Sequence, residues 1–166
     1  AFEVQGQKCS AASRAYVPSN LWPDVKKYMQ DDLASMKMGT VEDFGNFINA
    51  VIDEKAFDSI SGYIAKAKED GQEIVAGGNF DKSKGYFIEP TVIVARDAKY
   101  RTMCEEIFGP VLTIHVYDAE KWDETLEIVN TTSPYALTGA IFSQDRYEIV
   151  KATRVLRHAA GNFYIN

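Results

Sequence analysis

Cys9 stands in the run Phe2-Glu3-Val4-Gln5-Gly6-Gln7-Lys8-Cys9-Ser10-Ala11, a setting suited to a nucleophilic thiol. Gly6, three residues earlier, permits a tight turn or a close backbone approach. The small residues Ser10, Ala11, Ala12 and Ser13 can open a helix. A thiol at a helix N-terminus feels the positive end of the backbone dipole, and Lys8 adds a neighbouring cation. Both favour the thiolate, which is the reactive form. A lone cysteine is more often a small buried hydrophobe, and these residues alone do not decide between the two fates.

A second run, Cys104-Glu105-Glu106-Ile107-Phe108-Gly109-Pro110, follows the basic stretch around Lys99 and Arg101. Two adjacent carboxylates repel when both are buried, so at least one must face solvent or a polar ligand. Glu106 has the chemistry to accept hydrogen bonds from ribose hydroxyls. Phe108, before Gly109-Pro110, sets a ring on a constrained turn, a shape that suits a planar ligand. A solvated glutamate pair and a core phenylalanine explain the same residues. His115 lies among apolar neighbours and reads as a satisfied core histidine. His158 reads as the complement of a helix C-terminus. Two isolated cysteines and two isolated histidines have no metal-ligand spacing, so no metal is expected.

The elements that must position these residues alternate between short apolar runs and helical periods. Arg14–Val17 reads as a strand stopped by Pro18, then a helix capped by Ser19 or Asn20 runs through Leu33. Residues 45–51 fit no single pattern. Phe57, Ile60, Ile64 and Ala67 share one helix face, and Gly71 suits its stop. Further strands are expected at Glu73–Ala76, Tyr86–Ile88, Thr91–Val94, Val111–Tyr117, Leu137–Phe142 and Phe163–Ile165. Further helices are expected at Glu124–Asn130 and, capped by Ser143, through Leu156. Strands alternating with helices, several of them apolar throughout, predict an α/β domain whose largely parallel sheet is flanked by helices.

The 166 residues suit one domain with a proper core, and 46% hydrophobic with 25% charged residues is ordinary for a globular chain. A net charge of −6 without a basic run argues against nucleic acid or an anionic membrane as partner. No apolar run approaches the roughly 20 residues that span a bilayer. Two cysteines make no disulfide framework, which points to a reducing compartment. The chain opens on Ala1 and closes on the strand-like Gly161-Asn162-Phe163-Tyr164-Ile165-Asn166, so a segment of a longer protein is expected.

Gly6-Gln7-Lys8-Cys9, followed 97 residues after the cysteine by Glu106-Ile107-Phe108-Gly109-Pro110, resembles the aldehyde dehydrogenase superfamily. The resemblance continues through Gly85-Tyr86-Phe87-Ile88-Glu89-Pro90-Thr91, Leu137–Ser143 and Gly161–Asn166 and covers the whole chain. Gln5–Ala11 and Ala159–Asn166 look most like the branch that oxidises glutamate semialdehyde (pyrroline-5-carboxylate) in mitochondrial proline catabolism. Val4 and Cys104 depart from that branch's pattern.

The resemblance implies that residues 1–166 are a thiol-bearing catalytic domain of aldehyde dehydrogenase type. Its NAD-binding domain, general-base Glu and oxyanion Asn would precede Ala1, and its substrate-carboxylate loop and oligomerisation strand would follow Asn166. It implies catalytic Cys9, which attacks the aldehyde to give a thiohemiacetal and then a thioester that water hydrolyses, with NAD⁺ taking the hydride. The Cys9 backbone N–H would help bind the oxyanion. Glu106 would hold the nicotinamide ribose, Phe108 would pack beside the nicotinamide, and Ser10 would bind the substrate carboxylate. The implied partners are a small aldehyde and further copies of the parent chain. The implied compartment is the mitochondrial matrix, otherwise the cytoplasm. The segment alone is expected to lack dehydrogenase turnover. Other readings of the isolated segment are a binding or interaction module, or residual thiol esterase activity.

Overall fold

Strands that are apolar on both faces form the middle of the main sheet, and the reason is visible in which side chains go where. The computed structural model describes all 166 residues. The sheet has the order β1 (Arg14–Pro18), β6 (Val111–Tyr117), β5 (Thr91–Val94), β2 (Glu73–Ala76). β1 and β5 run parallel to β6, and β2 is antiparallel to β5 with an irregularity between Ile74 and Ala76. Side chains alternate across a strand. Ile93 and Val111 therefore enter one core with Phe57, Ile60 and Ile64, while Val92 and Ile114 enter a second with Phe2 and Ile48. Helices cover both faces, as a parallel sheet requires. The expected α/β class with a largely parallel, helix-flanked sheet is the one observed.

The first core is covered by α2 (Glu54–Glu69), whose buried residues are Phe57, Ile60, Ser61, Ile64 and Ala67. Complete burial of Ile60 and Ile64 contributes about 1.5–3 kcal/mol each. The Asp53 carboxylate caps the helix by accepting from Ala56 N–H at 2.7 Å. At the other end Gly71 takes φ +71°, Gln72 N–H donates to Ala67 C=O at 2.9 Å, and Gly71 N–H donates to Lys68 C=O at 3.1 Å. That pair of bonds is a Schellman stop. Asp53→Ala is expected to lower stability by about 1 kcal/mol, read from the denaturant midpoint of unfolding.

On the second core lies α1 (Trp22–Ser35), through Trp22, Met29 and Leu33. Neither Ser19 nor Asn20 caps it. Leu21 holds the cap position without a side-chain bond, and the Ser19 hydroxyl instead accepts from Ala119 N–H at 3.3 Å. Residues 45–51 form neither helix nor strand. They run as a loop that buries Ile48 and Val51 and touches Met38 through a single bridge.

A short hairpin, β3 (Phe80–Asp81) with β4 (Phe87–Ile88), and a one-turn helix, α3 (Arg101–Cys104), complete this part; β3 and α3 had no sequence signal. The remainder is a parallel pair, β7 (Thr138–Ile141) and β8 (Asn162–Ile165), covered by α4 (Trp122–Thr131) and α5 (Arg146–Val155). Leu126, Ile141, Ala152 and Leu156 form its core. The cap of α5 is Asp145, whose carboxylate accepts from Tyr147 and Glu148 N–H at 2.8 and 3.3 Å. Ser143, the expected cap, instead accepts from Asp145 N–H at 3.1 Å. No helix is long and apolar enough to cross a membrane.

Candidate active site

Cys9 sits in a turn, not at a helix start. A 3-10 turn at Glu3–Gly6 leads into it, and Ala11 N–H closes a further turn on Lys8 C=O at 3.0 Å. The helix dipole expected behind the thiol is therefore absent. The Lys8 ammonium is also committed elsewhere, to Glu3 at 2.8 Å. Both local arguments for a stabilised thiolate fall. What the structure gives Cys9 instead is exposure.

Val4, Gln5 and Gly6 all have left-handed backbones, with φ of 53°, 56° and 67°. A β-branched residue there is strained by about 1–3 kcal/mol and persists only when its surroundings over-determine it. Two amides supply that constraint. Gln5 accepts from Asn49 N–H at 3.2 Å and donates to Ala50 C=O at 3.3 Å. Gln7 accepts from Ile52 N–H at 2.8 Å. Sequence reasoning passed over both glutamines. Their signal is the alternation of amide side chains around a glycine, which can bind a neighbouring extended backbone as a strand would.

The second motif runs from α3 into β6. Ile107 is buried in the first core, while Phe108, at φ +60°, holds its ring 45% exposed. It is thus no core phenylalanine. Thr91 N–H donates to Pro110 C=O at 2.8 Å and fixes the far end of the loop to β5. The adjacent carboxylates separate in role. Glu105 accepts from the Tyr63 hydroxyl at 2.5 Å and from Arg101 at 3.1 Å. Those bonds, Tyr63 first, hold its carboxyl below the ordinary 4.5. Its stabilising contribution is present above pH 4.5 and is lost as pH falls from there through the lowered folded value. The same bond pushes the Tyr63 phenol up. Glu106 is exposed and enters no ion pair.

The two motifs meet at two glycines. A Cβ on Gly6 would overlap the Gly109 carbonyl oxygen and lie 2.6 Å from its carbon, so the backbones are in direct contact there. On its other side Gly109 packs against Ile60 of α2. Cys9, Ser10, Glu106 and Phe108 consequently line one open cleft of about 2110 Å³. Ser10 is exposed, and its carbonyl accepts from the Thr138 hydroxyl at 3.2 Å, tying the thiol turn to β7. His158 also lines the cleft, but it follows the end of α5 rather than completing that helix. His115 Nδ1 lies 3.1 Å from Ala95 C=O, the satisfied histidine the sequence implied.

An exposed thiol, an unpaired carboxylate and a presented aromatic ring thus line the same cleft. The family model for the aldehyde dehydrogenase family matches residues 1–166, and the chain belongs to that family.

Over 168 aligned residues it is 57% identical to the mitochondrial delta-1-pyrroline-5-carboxylate dehydrogenase of Dictyostelium discoideum, covering 100% of this chain and 30% of that protein. The human mitochondrial delta-1-pyrroline-5-carboxylate dehydrogenase is 50% identical with the same two coverages. Among solved structures, the delta-pyrroline-5-carboxylate dehydrogenase of Mycobacterium tuberculosis, bound with NAD and cobalamin, superposes with a TM-score of 0.93 at 39% identity. That match covers 99% of this chain and 30% of the other. The chain thus spans about 30% of the length of the relatives it matches.

Proposed function

We propose that this chain is the thiol-bearing catalytic part of an NAD-dependent dehydrogenase that oxidises glutamate γ-semialdehyde to glutamate. The supporting observation is the single cleft that gathers Cys9, Ser10, Glu106 and Phe108 through the Gly6–Gly109 contact. The identity with relatives named delta-1-pyrroline-5-carboxylate dehydrogenase supports the substrate.

The Cys9 thiolate attacks the aldehyde carbon, the C=O bond opens to an alkoxide, and a thiohemiacetal forms. The Cys9 backbone N–H donates to the developing oxyanion. Loss of hydride from the former aldehyde carbon leaves a thioester on Cys9, and water then releases the acid and restores the thiol. Bound NAD⁺ supplies the hydride acceptor. The residues present fit it: Glu106, exposed and unpaired, would accept from ribose hydroxyls, and the presented Phe108 ring would pack against the nicotinamide. The Ser10 hydroxyl donates to the substrate carboxylate. The whole protein is placed in the mitochondrial matrix as a homo-oligomer; the relatives named mitochondrial support the organelle alone.

The test is NADH formation by the protein that carries this chain. Glutamate γ-semialdehyde is expected to exceed an aldehyde of equal length without the carboxylate by about 10–100-fold in kcat/KM. Equal rates on the two would remove the substrate assignment, and no NADH with either would remove the activity.

A further inference from the structure

Glu105 is not a spare copy of Glu106. It stands at the end of α3 with extended torsions, φ −96° and ψ 147°. Consecutive side chains on extended backbone point to opposite sides. Both carboxylates border the cleft, but Glu105 is bound to Tyr63 on α2 while Glu106 is exposed and unpaired. Arg101 completes the contact from within α3. Its guanidinium bonds Glu105 at 3.1 Å and its central carbon lies 4.5 Å from the centre of the Tyr63 ring. Three residues earlier on α2, Ile60 packs against Gly109. Ile60 and Tyr63 are i and i+3 on one face of α2. The same helix thus grips both ends of a three-residue span, and the side chain inside that span, Ile107, is buried in the core beneath. The two that remain exposed are Glu106 and Phe108.

Resting on the NAD-dependent function proposed above, we propose that Glu105, Tyr63 and Arg101 form a clamp that positions Glu106 and Phe108 for the nicotinamide riboside. Glu105 is the positioning residue of the pair, and Glu106 is the one that touches the cofactor. The clamp is partly exposed, with 43% and 47% of the Arg101 and Glu105 side chains accessible. An exposed ion pair contributes little to folding. Its removal is therefore expected to appear in cofactor binding before it appears in stability.

The experiment uses the full-length protein that carries this chain. Glu105→Ala and Tyr63→Phe are expected to raise KM for NAD⁺ about five- to tenfold while kcat stays within about twofold, since a displaced binding group costs affinity before chemistry. KM for the aldehyde stays put. Glu105→Gln keeps an acceptor for Tyr63 and is expected to recover part of the loss. Tyr100→Phe is the control, because its hydroxyl bonds Asp70 at 2.9 Å on the same side of α2 without touching Glu105. Equilibrium binding of NAD⁺, measured by calorimetry, is read in parallel. An unchanged dissociation constant in Glu105→Ala overturns the clamp alone. So does a Tyr100→Phe effect as large as that of Tyr63→Phe, or a joint fall of kcat, both affinities and the melting midpoint. Absence of NAD⁺ binding in the unmodified protein overturns the proposed function and the clamp with it.

Discussion

Cys9→Ala is expected to cut NADH formation by about four to six orders of magnitude, the scale on which loss of a covalent nucleophile acts. Nothing else in the cleft can take its place. Cys104, the other thiol, is only partly exposed, is bonded to Lys99 C=O at 3.4 Å and does not line the cleft. Ser10 is adjacent, but a hydroxyl is a far weaker nucleophile than a thiol unless a base activates it. Iodoacetamide labelling followed by peptide mapping separates the roles of the two thiols. Exposed Cys9 is expected to alkylate before Cys104, and substrate is expected to protect Cys9 alone. A Cys9→Ala protein that keeps a tenth of its rate would place the nucleophile elsewhere.

The residues of this site were legible as types and not as an arrangement. Helix α2 could be read closely because two signals agree, a buried 3.6-residue period and a Gly71 stop; its Asp53 cap emerged only in the structure. The both-face apolar strands likewise revealed a parallel sheet, since only a sheet covered twice needs them. The expected helix at Cys9 failed because its evidence was local, a run of small residues. The winning constraint was the contact between Gly6 and Gly109, which residue order does not encode. The expected Ser143 cap failed because the first-turn N–H groups of α5 reach the Asp145 carboxylate, two residues further on. Glu105 and Tyr63 are 42 residues apart, so a clamp between them had no local signature. Ile48 and Val51 were obscure for the same reason. They anchor a loop by burial, without the period of any element.

Gly6→Ala is expected to destabilise the protein by about 3–5 kcal/mol and to depress its dehydrogenase rate at the same time. Two penalties combine. The φ of +67° places a Cβ in the left-handed region, and that Cβ meets the Gly109 carbonyl, a backbone group that cannot rotate aside. Gly71→Ala isolates the first penalty, because Gly71 has φ +71° and nothing within 4 Å of an added Cβ. Its cost is expected to be about 1 kcal/mol. Gly109→Ala isolates a softer clash, since the atoms nearest its Cβ would belong to the Ile60 side chain, with Cδ1 at 2.5 Å. Shortening that residue, as in Gly109→Ala with Ile60→Val, is expected to recover part of the loss. If the thiol turn and the Glu106 loop are held together by backbone contact, Gly6→Ala must exceed Gly71→Ala by about 2 kcal/mol or more in unfolding midpoints measured side by side. It must also raise KM for NAD⁺, although Gly6 lies on the thiol side of the cleft. An effect on Cys9 chemistry with unchanged NAD⁺ affinity would mean that the two motifs share a wall without sharing a frame.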